Sequence, residues 1–324
     1  MQRRALLKSA AAVAISAAVK PAARAASAMQ VIDAHIHLFD PTRPGGVPWP
    51  DKNDPVLYKP ALPPRYAQLA VPHGVAGAIA VESSPWMVDN FWLQDTVEKS
   101  ELMLGFIGDL EPEAPDFAAT LDRLHRSPLF LGIRYGNLWG RDPHESAHTW
   151  DFISGLKLLA QTGLVLETAN PDADLITAVV EISDRVPELR IVLDHLPHAD
   201  APTEPAALKA YEDNLRQLAA RPTIFVKGSE IVRRIDGRVS LDGASYKTSL
   251  DRIWDLFGED RIFFGSDWPN SDTLATYDDT FGVAQRYIST RSAAAQQKYF
   301  WKNSIAVYRW KPRSAAQKKL VSAG

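Results

Sequence analysis

In the run from Val31 to Asp40, Asp33, His35 and His37 alternate with Ile32, Ala34 and Ile36. A two-residue period is that of a β-strand, so the spacing predicts a strand with the carboxylate and both imidazoles on one face. Residues two apart in a strand are separated by about 7 Å along the backbone. Two ring nitrogens at that spacing can converge on one metal ion or one reacting atom. The same pair at a strand end can also be hydrogen-bonded and inert. The motif leaves both readings open, and the elements that must bring partners to it decide between them.

Seven further apolar runs follow Val31–Leu38: Val75–Ser84, Leu102–Leu110, Phe130–Tyr135, Leu164–Thr168, Arg190–Leu196, Thr223–Gly228 and Arg261–Asp267. Helical spacing fills the gaps, over Arg65–His73, Asp89–Ser100, Asp116–Arg126, Trp150–Gly163, Asp172–Arg185, Glu204–Ala220 and Tyr246–Phe257, with Leu274–Thr290 and Ala293–Trp310 behind them. Eight strands alternating with helices predict a parallel sheet closed into a (β/α)8 TIM barrel, one α/β domain over residues 29–324. An open doubly wound sheet usually has fewer strands, and no Gly-x-Gly-x-x-Gly follows the first run.

A barrel places its chemistry at the C-terminal ends of the strands. Every run here closes on an ionisable side chain: His35 and His37, then Glu82, Asp109, Arg134, Glu167, His195, Lys227 and Asp267. Ala80, Gly132 and Gly265 stand two positions before three of them and leave room for groups to converge. Strand ends border polar loops in any case, and Asp109, followed by Glu111 and Pro112, reads equally as the start of a turn. Arg134, Glu167 and Lys227 follow apolar residues, and a buried charge needs a partner. The long loop from Pro41 to Pro63 carries Trp49 and is placed to wall a pocket. Trp139 and His144 follow the fourth run and Trp268-Pro269-Asn270 the eighth. Arg233, Arg234 and Arg238 either receive an anionic group or face water. Asn303 reads as a structural cap.

Arg3 and Arg4, the apolar stretch from Ser9 to Val19 and the small-residue exit Ala26-Ser27-Ala28 have the form of a twin-arginine-type signal peptide over residues 1–28, which predicts a periplasmic protein. Those residues hold five basic side chains and no acid, so their removal takes the formal charge from −3 to −8. An acidic surface argues against nucleic acid and anionic membranes as partners. The chain has no cysteine, which excludes disulfides, thiolate ligands and a cysteine nucleophile.

Asp33-Ala-His35-Ile-His37, Leu193-Asp194-His195-Leu196 and Gly265-Ser266-Asp267-Trp268-Pro269, in that order from Val31 to Trp310, resemble the amidohydrolase superfamily. Gly132-Ile133-Arg134 and Trp49 fit its branch of lactone hydrolases. The resemblance implies a barrel whose His35, His37, His195 and Asp267 form the site and hold Zn²⁺ or a similar divalent metal. Many superfamily members place a ligating histidine on strand 5, where Glu167 stands here. The lactone hydrolases also lack it, and the resemblance covers action with or without a tightly held metal.

Opening a lactone requires an activated water, a stabilised oxyanion and a proton for the departing alkoxide. Asp267 is the candidate general base, with His195 and Arg134 as its catalytic partners. Arg134 could instead clamp a carboxylate or hydroxyls of the substrate. Glu82, Glu167, Lys227, Trp49 and Trp268 are the candidates for contacting a small sugar-derived or carboxylated lactone. Non-oxidative decarboxylation of an unsaturated or aromatic acid on the same barrel is the alternative enzyme reading, and a catalytically silent solute-binding barrel the non-enzymatic one. Nothing in the pattern specifies an oligomeric state.

Overall fold

The computed structural model describes residues 29–196 and 201–322; the expected leader, residues 1–28, lies outside them. Eight parallel strands run in the order β1 (Val31–His37), β2 (Val75–Val81), β3 (Met103–Asp109), β4 (Phe130–Arg134), β5 (Val165–Glu167), β6 (Arg190–Leu193), β7 (Ile224–Gly228) and β10 (Ile262–Phe264). A small antiparallel hairpin, β8 (Arg234–Ile235) with β9 (Arg238–Val239), projects between the last two. The ring closes beyond the end of β10, where Asp267 N–H donates to the His35 carbonyl at 2.9 Å and His37 N–H donates to that of Trp268 at 2.7 Å. The expected barrel is the observed one.

Each strand separates two apolar layers. Ile32, Ala34, Ile79, Leu104, Leu131, Val165, Val192, Phe225 and Phe263 fill the barrel, and Trp301, Tyr308, Trp310 and Leu320 seal it from below. The opposite strand faces pack under the surrounding helices. Local chemistry sets the helix ends. Thr149 accepts from the Phe152 N–H to start Trp150–Thr162, which stops at Gly163 with φ +74. The helix expected from Leu274 begins at Tyr277, because Thr276 caps it through the Asp279 N–H. The expected Ala293–Trp310 helix carries a π-turn at Lys298–Lys302. Short helices at Pro143–Ala147 and Ala315–Ser322 go beyond the expectation. Asn303 is structural, donating at 2.8 Å to the carbonyls of Glu259 and Ile262.

Candidate active site

The first strand delivers its histidines through an irregularity. Pairing between β1 and β2 slips between Asp33 and Ile36. Ile32 and Ala34 lie inside the barrel, whereas Ile36 packs in the outer layer. An extra residue of this kind reverses the facing of the residues beyond it, and His35 and His37 turn into the barrel mouth. Asp33 therefore does not share their face, contrary to the two-residue pattern. It points outward, where Oδ2 accepts from the hydroxyls of Tyr66 (2.8 Å) and Tyr277 (3.1 Å) and Oδ1 from the N–H of Ser266 (2.8 Å). It ties β1 to the segment after β10.

His35 Nε2 lies 3.3 Å from His37 Nε2 and 3.5 Å from Asp267 Oδ1, and His37 Nε2 lies 3.2 Å from the same oxygen. His37 Nδ1 faces the carbonyls of Val81 (3.1 Å) and Glu82 (2.9 Å), so it carries the ring proton and Nε2 offers a lone pair. Ligands about 2.1 Å from a tetrahedral ion stand roughly 3.4 Å from each other. The three atoms match that spacing, and the donor set, two imidazoles and a carboxylate, suits Zn²⁺. His195 belongs to the same group, with a ligand atom within 4.8 Å of those of His35 and Asp267. Its Nδ1 lies 2.8 Å from the Ser229 hydroxyl, and its ring centre is 4.6 Å from that of His35. A Cβ at residue 265 would stand 2.6 Å from that of His35, so only glycine fits beside this ligand. Gly265 thus makes the expected room, whereas Ala80 packs in the outer layer.

Above this centre opens a cavity of about 170 Å³ lined by Trp49, Leu138, Trp139, Ser83, Arg134, Asn170, His195, Glu230, Asp267 and Asn270. Trp49 comes from the long first loop, which Phe39 and Ala61 pin through paired backbone hydrogen bonds of 3.1 and 2.9 Å. Its ring stands edge-on to His37, centres 5.9 Å apart. Arg134 Nε donates to Glu82 Oε1 at 2.7 Å and Nη2 to the Glu82 carbonyl at 3.0 Å, which leaves Nη1 for the cavity. Glu82 also accepts from the Trp139 indole (3.2 Å) and the Ser84 N–H (2.9 Å). It holds Arg134 and Trp139 and is not among the residues that line the cavity, where a substrate contact was expected of it.

Three further residues expected to contact substrate also stand outside the cavity lining. Glu167 and Lys227 are fully buried and pair with each other at 2.7 Å beneath the cavity. Trp268 is fully buried against Tyr66 and Arg65. Asp109 binds both terminal nitrogens of Arg141, away from the cavity. Arg234 and Arg238 stand exposed on the β8–β9 hairpin, and neither they nor Arg233 and His144 line the cavity.

Burial governs the ionisation of the centre. Desolvation, then the charge of Lys227, holds His35 well below the ordinary histidine range. Desolvation and Arg134 bring His37 down to about 4. Both imidazoles are neutral at physiological pH, as ligands must be and as acids are not. Desolvation pushes the Asp267 carboxyl up to about 7, against hydrogen bonding from Asn270, whose Nδ2 donates to Oδ2 at 2.7 Å.

Ser83, Leu138, Asn170 and Glu230 line the cavity without having been expected there. Trp139, Asn170, His195, Glu230 and Asp267 share left-handed backbone, with φ between +49 and +61. Such conformations cost energy in residues other than glycine and concentrate where function holds them. Polar residues just past a strand end, Ser229-Glu230 and Asn170, were the available signal.

Comparison with known proteins accords with this geometry. The family model described as amidohydrolase matches residues 32–310. An L-fucono-1,5-lactonase of Burkholderia multivorans is 27% identical over 286 residues, spanning 85% of this chain and 94% of that protein. Another L-fucono-1,5-lactonase, from Burkholderia ambifaria, is 26% identical over 76% of this chain and 83% of that protein. A crystal structure of an amidohydrolase from Burkholderia multivorans with bound zinc superposes with a TM-score of 0.75 at 24% identity, covering 87% of this chain and 100% of that one.

Proposed function

The chain belongs to the amidohydrolase family, and we propose that it is a metal-assisted hydrolase that opens a small sugar-derived or carboxylated lactone. The observation that carries the reading is the mutual spacing of His35 Nε2, His37 Nε2 and Asp267 Oδ1, 3.2 to 3.5 Å, at the floor of a cavity of monocyclic size. The lactonase relatives from two Burkholderia species support the choice of reaction.

His35, His37 and Asp267 would hold the divalent cation, with His195 beside them. A cation there supplies Lewis acidity, which polarises a carbonyl and lowers the pKa of water toward ~7. The chain supplies the rest. Trp49 and Trp139 offer apolar faces for a ring, while Asn170, Asn270 and Glu230 offer hydrogen bonds to its substituents. Arg134 Nη1 meets the carbonyl oxygen and stabilises the negative charge that develops on it. Asp267 takes a proton from the attacking water and delivers it to the alkoxide as the ring C–O bond breaks. Polarisation of the carbonyl by protonated first-strand imidazoles does not suit this site, because both rings are held neutral.

The test is a panel of sugar-derived and carboxylated lactones, presented to protein with and without Zn²⁺ or Mn²⁺ and followed with a pH indicator. Metal-dependent acid release from at least one lactone is expected. Turnover of none, with CO₂ released from unsaturated or aromatic acids, would replace the lactonase by the decarboxylase.

A further inference from the structure

Two of the three histidines at the centre have their outer ring nitrogen fixed: His37 Nδ1 by the carbonyls of Val81 and Glu82, His195 Nδ1 by the Ser229 hydroxyl. His35 does not. Its Nδ1 is buried without a hydrogen-bond partner, and the carboxylate oxygen facing it is Asp194 Oδ2, 3.6 Å away. Asp194 is fully buried and belongs to a chain of groups the reaction leaves unused. Its Oδ1 lies 3.0 Å from Lys227 Nζ, that ammonium lies 2.7 Å from Glu167 Oε2, and Glu167 Oε1 accepts from the Tyr308 hydroxyl. Tyr308 comes from the C-terminal segment that seals the barrel floor.

We propose that Asp194 is a positioning residue for the metal centre: it accepts the Nδ1–H of His35 and so commits Nε2 to the cation, while Tyr308, Glu167 and Lys227 hold Asp194 in place from below. The inference rests on the metal reading of the site given above. An imidazole that ligates through Nε2 must carry its proton on Nδ1. A buried N–H needs an acceptor, and a carboxylate behind a ligating histidine fixes both tautomer and ring angle. Bringing 3.6 Å to an ordinary hydrogen-bond length of about 2.7–3.2 Å takes a slight tilt of the ring. His35, Glu167 and Asp194 also present ligand atoms within 4.8 Å of one another. The Lys227 ammonium already lies between the two carboxylates, so this lower cluster contains its own cation and serves the upper one by orientation.

Two measurements decide. In zinc-loaded wild type, long-range ¹H–¹⁵N NMR of the imidazoles should show His35 protonated on Nδ1. Asp194→Asn should lower zinc affinity about 10- to 100-fold in competition with a chromophoric chelator, while folding is checked by circular dichroism. Tyr308→Phe, one link further away, should lower it by a smaller factor, and it stands in if Asp194→Asn does not fold. A structural role alone predicts a lower melting temperature with zinc affinity unchanged in the folded protein, and that result overturns the proposal. So does His35 bound through Nδ1. Wild type that binds no zinc overturns this proposal together with the metal reading, whereas equal affinity in wild type and variants overturns this proposal alone.

Discussion

Asp267 works as a base only when ionised, and burial pushes its carboxyl up to about 7. Below that value the folded protein holds a proton on Asp267, so activity must fall as pH drops through about 7, roughly tenfold per unit beyond it. A profile of kcat/KM against pH at low metal occupancy checks this. Occupancy by a cation favours the ionised carboxylate, so zinc should move the limb to lower pH. Asp267→Asn should reduce kcat by about 10²–10⁴-fold. Arg134→Lys keeps the charge but loses the planar fork that Glu82 holds, and a loss of about 10²–10³-fold in kcat is expected from a misplaced oxyanion donor. Steady-state kinetics on one responsive lactone measures both. An Arg134→Lys enzyme with a raised KM and normal kcat would make that residue a substrate clamp instead.

At the scale of elements, the eight strands and the residues that end them are legible because a strand buried on both faces reads as a short apolar run, here closed by a polar terminus. His35, His37, His195 and Asp267 meet as the resemblance implies. What the pattern could not carry is the slip in β1, which moves Asp33 to the outer layer and leaves both histidines inside. A bulge has no fixed residue signature when no glycine marks it. Glu82, Glu167 and Lys227 were readable as strand-end charges, yet their pairing depends on neighbours 52 to 60 positions away. That distance hides whether a charge faces substrate or another side chain. The outward carboxylate gives a test: Tyr66→Phe deprives buried Asp33 of a donor at 2.8 Å and should cost about 1–3 kcal/mol. Denaturant unfolding measures it. A cost near zero would mean that Asp33 does not hold the β1 junction.

For the whole molecule, the barrel divides its labour between a sealed floor and a functional mouth. Gln317, fully buried in the last helix, donates to the carbonyls of Ala76 (3.0 Å) and Glu101 (2.9 Å) and accepts from the N–H groups of Arg313 and Ser314. Gln317→Ala leaves those groups unpaired, and the melting temperature should drop by about 2–4 °C for each kcal/mol lost, with kcat unchanged. A fall in kcat at a temperature where the variant is folded would show that floor and mouth are coupled. No helix among the described residues is long and apolar enough to cross a membrane. The claim on which the rest depends is that two first-strand imidazoles and the carboxylate beyond the last strand act as one metal-holding hydrolytic centre. Its most direct test is to strip the protein of metal, titrate it with zinc, and assay lactone opening on the same samples. Activity should rise in proportion to zinc and level off at one ion per chain. Lactone opening that is indifferent to zinc, or absent with zinc fully bound, would contradict it.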